Sequence, residues 1–374
     1  MNRRPSQSRN GFDSFSPQHT AHFKAAQPGD EFFEPKPRAP LGRRLLLALL
    51  ALLLIALAVN LAVNQFVQVA RVTVPIRRMD SAFEGYTLLH ISDLKGAAYG
   101  SGQSLIRFAL QNEDFDAVVL TGDMVSSRGN AQPLYELIEM LRELKPDAPI
   151  YMIPGDKDPL PASMSYATGG SPFAPWVLGA KQRGAQLLSA PVQIERSGHT
   201  LWLTTSALLS LDMDTMQGQF ERQYLDALAT GDENAIELTT YNLQWLTETR
   251  DARAKMTDAD VYIALTHVPP ADEELEGAYS GSLRERVHLV LCGHYQGGLV
   301  RLPFVGALFI PSQNLPLYGL LPGEETYYGL TKKGGTYLYV SPGLGGNDGL
   351  YPLPFFRLFN PPTVSLISLT TSSL

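Results

Sequence analysis

Leu289-Val290-Leu291-Cys292-Gly293-His294-Tyr295-Gln296-Gly297-Gly298-Leu299-Val300-Arg301-Leu302-Pro303 opens with four apolar residues, the mark of a short buried strand. The strand breaks at Gly293, and His294 stands at its C-terminal end, where loops meet solvent and ligands gather. Gly297-Gly298 lets the backbone turn tightly into a second short strand. A single histidine after a strand is more often a satisfied polar residue than a ligand. Here four upstream stretches share its design. Leu88-Leu89-His90-Ile91-Ser92-Asp93-Leu94-Lys95-Gly96, Ala117-Val118-Val119-Leu120-Thr121-Gly122-Asp123 and Ile150-Tyr151-Met152-Ile153-Pro154-Gly155-Asp156-Lys157-Asp158 each run from apolar strand to aspartate. Val261-Tyr262-Ile263-Ala264-Leu265-Thr266-His267 ends in histidine. Carboxylate oxygens and imidazole nitrogens delivered from strand ends, by Asp93, Asp123, Asp156, His267 and His294, suit a transition-metal site.

The ordered set resembles the calcineurin-like metallophosphoesterase family, whose motifs D-x-H, G-D-x-x-D, G-N-H-[DE], a separate His and G-H-x-H occur in this order. The likeness runs from about Val69 to the C-terminus, and Tyr337–Gly345 and Arg357-Leu358-Phe359-Asn360 resemble its membrane-anchored bacterial members. It implies a four-layer α/β/β/α sandwich, here preceded by one transmembrane helix, and hydrolysis of phosphate esters with divalent metals. In the family, two metals clamp the attacking and leaving oxygens.

Several positions depart from the family pattern. Lys95 replaces the histidine of D-x-H, Ser126 the second aspartate of G-D-x-x-D, Asp156 and Lys157 the Asn-His pair, and Gln296 the last histidine of G-H-x-H. The resemblance then gives one metal the ligands Asp123, Asp156, His267 and His294, all competent. The other would receive Asp93, Lys95, Asp123 and Gln296. A protonated lysine has no lone pair, and a glutamine carbonyl is a weak ligand for Mn²⁺, Fe or Zn²⁺. The expectation is at most one ion, Mn, Fe or Zn, with Asp93 and Gln296 doubtful ligands and the Lys95 ammonium standing between Asp93 and Asp123 in place of the second. Lys157 stands where the family has a histidine that contacts substrate phosphate; it attracts phosphate as a point charge but is a poor general acid at neutral pH. Two readings stay open. One is a working one-metal phosphoesterase. The other is a pseudoenzyme, an extracytoplasmic module that binds a phosphorylated ligand or a protein without turnover.

The formal net charge of −7 argues against nucleic-acid binding. The one cysteine, Cys292, sits in the buried strand as a small core residue. Residues 1–44, rich in Ser, Gln, Pro and Arg, read as a disordered tail. Residues 45–63, nearly all Leu, Ala, Ile and Val, approach the roughly 20 residues a bilayer core requires. Arg38, Arg43 and Arg44 flank the N-terminal side, while Asn64 and Gln65 open the other, so the tail is expected in the cytoplasm and the domain of residues 67–374 outside. Membrane proximity makes phospholipid head groups or cell-envelope phosphates the expected substrates.

Within the domain, Val67 to Ile76 alternates like a half-buried edge strand. Ser104–Asn112, Pro133–Leu144 and Pro175–Arg183 read as helices, and Thr200–Ala207 as a strand. Residues 208–260 are polar and helix-prone, with Phe220, Tyr224, Leu225 and Leu228 at helical spacing; they read as helices packed over the sheet edge or as a cap on the site. Tyr327–Leu330 and Gly343–Gly349 read as loops near the metal motifs.

Overall fold

The computed structural model describes residues 40–64, 66–126, 128–162, 172–275, 287–298, 300–302, 304–308, 310, 319–322, 327–346 and 357–372. Most of the expected N-terminal tail and the end of the loop after Gly343 lie outside these. Leu41–Val63 is one continuous helix, α1, which starts within the stretch read as tail. Its leucines are exposed, and among the described residues it is the one helix long and apolar enough to cross a membrane.

Strands follow in the order β1 (Gln68–Arg77), β2 (Thr87–Ile91), β3 (Ala117–Thr121), β4 (Ile150–Ile153), β5 (Ala185–Leu187), β6 (Val192–Arg196) and β7 (His199–Thr205). They continue with β8 (Val261–Leu265), β9 (Leu289–Cys292), β10 (Arg301–Leu302), β11 (Gly306–Ala307), β12 (Gly329–Lys333), β13 (Thr336–Val340) and β14 (Thr363–Ser372). One six-stranded sheet has the order β1-β14-β2-β3-β4-β5, and a second has β12-β13-β9-β8-β7-β6. β1 is an edge, where Pro75 costs the ladder little because no neighbour needs its missing N–H on the outer side.

The apolar runs are long because most central strands are buried on both faces, as parallel strands under helices must be. Val119, Ile153, Leu203, Ile263 and Leu291 fill the space between the two sheets. The opposite face of the first sheet is covered by α2 (Ser104–Leu110), α3 (Gln132–Leu144) and α4 (Pro175–Gln182), through Ile106, Leu134, Leu137, Leu141 and Val177. The outer face of the second packs Trp202, Tyr262 and Val290 against Leu209 of α5 (Ser206–Leu209) and Met256. These layers give the expected α/β/β/α sandwich.

Residues 208–260 form mainly a helical hairpin, α6 (Met213–Thr230) and α7 (Glu233–Ala254). Each starts on an aspartate cap, Asp212 to Thr215 N–H and Asp232 to Ala235 N–H, and Gly231 supplies the left-handed turn between them at φ 68°. Two local expectations shift. Ser206 and Ala207 begin α5 instead of extending β7, because the Thr205 hydroxyl caps Leu208 N–H. Gly329 and Leu330 belong to β12, where they pair with Val340 and Tyr339.

Candidate metal centre

β2, β3 and β4 run parallel in the first sheet, and β8 and β9 run parallel in the second. Their C-terminal ends therefore open toward one place. The turns there are tight enough to demand special residues. Gly122 has φ 90°, and a Cβ on it would lie 2.6 Å from Gly155 N and 2.8 Å from His267 Nδ1. A Cβ on Gly155 would lie 2.2 Å from Asp123 Oδ1. The glycines preceding the acids thus let three loops close on one another. Asp93, Lys95, Asp123, His294 and Gln296 all hold left-handed backbone, φ 51–69°, which L-residues adopt at a cost and which concentrates at functional sites.

All eight residues singled out in the sequence come together. On one side, His267 Nε2 lies 3.3 Å from Asp123 Oδ1 and 3.0 Å from Asp156 Oδ1. His294 Nδ1 lies 3.3 Å from the same Asp156 oxygen and 3.4 Å from His267 Nε2. On the other side, Lys95 Nζ lies 3.4 Å from Asp123 Oδ2 and 4.0 Å from Asp93 Oδ1. Gln296 Nε2 donates to Asp93 Oδ1 at 3.1 Å, and His294 N–H donates to Asp93 Oδ2 at 3.0 Å. Lys157 sits at the rim: its N–H donates to Asp123 Oδ1 at 2.9 Å and its Nζ pairs with Asp156 Oδ2 at 2.8 Å. Asp93, Asp123 and His267 are buried, while Asp156 is exposed and His294 half-buried.

The hydrogen-bond chemistry of His267 decides what the first side wants. Its Nδ1 lies 2.8 Å from the Thr121 carbonyl oxygen, which can only accept, so Nδ1 carries the proton. Nε2 then points an in-plane lone pair at two carboxylates, unless something positive stands between. Burial would lower the His267 pKa, but the hydrogen bonds its protonated ring donates to Asp123 and Asp156 overcome it and push the group up to about 10. Asp156 is held far below the usual carboxylate range, first by its bond to His267. Burial would raise Asp123, but His267 and the Lys95 ammonium take it below its ordinary value. Burial and the neighbouring charge of His267 keep His294 below its own. A proton answers this demand in the bare protein, and a divalent cation would answer it better, with imidazole and carboxylate oxygen as its natural donors. Two overlapping groups could hold one, Asp156-His267-His294 and Asp93-Asp123-His267, with the ligand atoms of each within 4.8 Å of one another.

Two supporting residues received no role in the sequence reading. Asp158 accepts from Gly155 N–H at 2.8 Å and Val125 N–H at 2.7 Å, tying the β3 and β4 turns together; burial raises its pKa despite these bonds. Its signal was present, since it fills the acidic position closing the motif around Asp156. Arg357 is fully buried, and its guanidinium donates to the carbonyls of Pro342 at 2.7 Å, Gly345 at 2.6 Å and Gln296 at 3.4 Å. It pins the loop after β13 to the turn after β9.

A family model described as calcineurin-like phosphoesterase matches residues 86–296. Among solved structures, one similar chain is a phosphopantetheinyl hydrolase from Mycobacterium tuberculosis, at 12% identity and TM-score 0.32, covering 70% of this chain and 91% of that one. No curated protein matches the chain.

Proposed function

This chain belongs to the calcineurin-like phosphoesterase family, and on that premise we propose that it is a metal-dependent phosphoric-ester hydrolase built around one divalent cation. Asp123, Asp156, His267 and His294 would hold the ion, and Lys95 with Gln296 replaces a second. The supporting observation is His267 Nε2, which faces Asp123 and Asp156 at 3.3 and 3.0 Å with its other nitrogen committed to a carbonyl. A divalent transition metal there would polarise a phosphoryl oxygen as a Lewis acid.

The chain's own groups do the rest. Thr121 fixes the His267 tautomer, as a carbonyl partner does for a ligating imidazole. Lys95 places its ammonium between Asp93 and Asp123, offsetting charge in the buried part of the pocket beside a single ion. Lys157, at the open rim, attracts the substrate phosphate as a point charge. Residues 67–374 would form the hydrolase domain, with 208–260 as an accessory hairpin, 45–63 as an anchor and 1–44 as a tail. With Arg43 and Arg44 before the span, the tail would be cytoplasmic and the domain extracytoplasmic. Substrates would be phosphate esters at the membrane surface, in phospholipid head groups or cell-envelope polymers.

Elemental analysis of the purified full chain, paired with hydrolysis of an aryl phosphate diester and monoester, tests the proposal. One ion per chain, with turnover that both fail in His267→Ala, is the expected result. Two ions per chain would contradict the one-metal reading. Lys157 also motivates a second reading: its ammonium pairs with Asp156 where the family has an imidazole, and an ammonium is a poor leaving-group acid near neutral pH. One ion with no turnover on either ester would favour a pseudoenzyme that binds a phosphorylated ligand or a protein. Protease added to intact cells tests the orientation; it should digest the domain and spare the tail.

A further inference from the structure

Asn60 is a polar residue inside the apolar run of α1, and it is buried. Its Nδ2 donates to the Arg357 carbonyl at 2.8 Å and its Oδ1 accepts from Phe359 N–H at 2.7 Å. Asn64 Nδ2 donates to the same carbonyl at 2.6 Å. The last turn of the helix is therefore fastened to residues 357–359. Asn60 lies three residues before the helix end at Val63, or ~4.5 Å along the axis. Whatever is bonded to it stands at the level where an apolar span would leave a bilayer.

A ribbon of short segments continues outward from that clasp. Leu358 pairs with Val300 in a parallel bridge, and Arg301 N–H donates to the Leu358 carbonyl at 2.9 Å. β10 pairs with β11. Leu321 N–H donates to the Leu308 carbonyl at 3.0 Å, and Ile310 N–H to Gly319 at 2.9 Å. Although Ile310 is buried, much of this ribbon presents large apolar side chains to solvent. Phe304 is fully exposed, Val305 and Leu321 are each 57% exposed, and Leu308, Leu320 and Phe359 are exposed beside them. Its described residues include no carboxylate. At its margin the Arg301 guanidinium lies 4.2 Å over the ring of exposed Tyr328, an aromatic and basic pair of the kind found at membrane–water interfaces. Several large exposed apolar side chains on one hydrogen-bonded ribbon signal a contact with something apolar.

We propose that this ribbon is a second membrane contact, in which Phe304, Val305, Leu308, Leu320, Leu321 and Phe359 enter the lipid leaflet next to the end of α1. The inference rests on the reading of α1 as a membrane span. The leaflet is the occupant because the ribbon is continuous, hydrogen bond by hydrogen bond, with the helix end that leaves it. The consequence reaches the metal site. Gln296 and Gly297 lead directly into the ribbon, and Arg357 holds the Gln296 carbonyl while its own carbonyl holds Asn60. The pocket would then open beside the leaflet surface, suited to a phosphate ester carried by a lipid and presented from the bilayer.

The test uses the full chain carrying Phe304→Cys, labelled with a nitroxide and reconstituted in phosphatidylcholine–phosphatidylglycerol vesicles. Cys292 is fully buried and stays unlabelled. Collisional relaxation by oxygen and by a water-soluble nickel complex reports depth, with Leu52→Cys as the span reference and exposed Leu225→Cys on α6 as the aqueous one. Phe304→Cys, and Leu321→Cys as an independent second site, should show the oxygen-favoured ratio of Leu52→Cys. An aqueous ratio at both, with Leu52→Cys in the bilayer, overturns the ribbon contact and leaves the span standing. An aqueous ratio at Leu52→Cys removes the span and this inference with it. Spin–spin broadening that grows with protein density would show a second copy of the chain on the ribbon, and also overturns the lipid assignment.

Discussion

The pocket has two sides that share Asp123 and differ in their cation. On the side of Asp156, two imidazoles face the carboxylates, and their lone pairs can bind a metal or a proton. On the side of Asp93, a lysine and a glutamine face them with donors only through Nζ and Nε2. The first side is electrostatically incomplete until something arrives, whereas the second carries its cation covalently. The two sides thus meet carboxylate charge by different means, one with imidazole nitrogens and the other with an ammonium. An ammonium on a flexible stem supplies positive charge but offers no open coordination position for substrate.

The largest effect should come from breaking the first side. His267→Ala removes the imidazole whose Nε2 faces both Asp123 and Asp156. Metal affinity should fall by more than ~100-fold, beyond what loss of an outer partner causes, as read by titration with a fluorescent metal indicator. A variant that keeps its ion would show that the ligands lie elsewhere.

The second side should break through stability. Lys95 is largely buried, and Lys95→Met would leave Asp93 and Asp123 without their ammonium. Removing one partner of a buried pair costs on the order of 3–5 kcal/mol, less where water enters, and denaturant unfolding of the variant measures it. Lys95→His combined with Gln296→His should do the opposite. It would make the second side resemble the first, and elemental analysis should then find an additional ion. No change in stability in Lys95→Met and no additional ion in the double variant would together show that Lys95 does not hold that position.

Much of this contrast was legible in the sequence, for a physical reason. Each candidate ligand closely follows a short strand, so strand periodicity and the small or polar residue that ends the strand mark its place before any tertiary contact is known. The long-range clasp was not legible. Asn60 and Arg357 are 297 residues apart, and one asparagine in a leucine run carries no mark of its partner. Arg357 stood out only as part of a family-like tetrapeptide, because a buried guanidinium that satisfies four carbonyls depends on loops whose approach no local pattern encodes. The α6–α7 hairpin was readable as helices, but Trp245 Nε1 donating to the Ser189 carbonyl, which ties it beside β5, was not.

Protons give a finer test of the same comparison. His267 is raised from 6.5 to about 10, so in the metal-free protein it adds stability that is full below about pH 6.5 and is lost as pH rises through about 10. Asp156 and Asp123 are lowered from 3.8, so they add stability that is present above about pH 4 and lost as pH falls further. Metal-free stability should therefore be greatest between about pH 4 and 6.5 and decline toward pH 10, unless ions are added. Metal must displace the His267 proton, so binding between about pH 7 and 9 should release about one proton per ion. Calorimetry in buffers of different ionisation enthalpy reads that number. Release of none would mean that the ion does not use His267.

The smallest effect should come from the other lysine. Lys157 pairs with Asp156 at 2.8 Å, closer than Lys95 comes to either of its partners, yet the pair is open: 55% of the Lys157 side chain is exposed, against 11% for Lys95. Distance alone would rank Lys157 above Lys95. Solvent reverses the order, because water already stabilises both charges at the rim and screens their attraction, while Asp93 and Asp123 have no such alternative. Lys157→Met should then change unfolding free energy by no more than ~1 kcal/mol, and removing a competing cation from Asp156 should leave metal affinity equal or slightly tighter. What it should weaken is the capture of an anionic ester, seen as a higher KM that converges with the parent's as salt screens the lost charge. If Lys157→Met destabilises the fold as much as Lys95→Met, burial does not separate the two lysines, and the pocket lacks the division into a closed ammonium side and an open metal side.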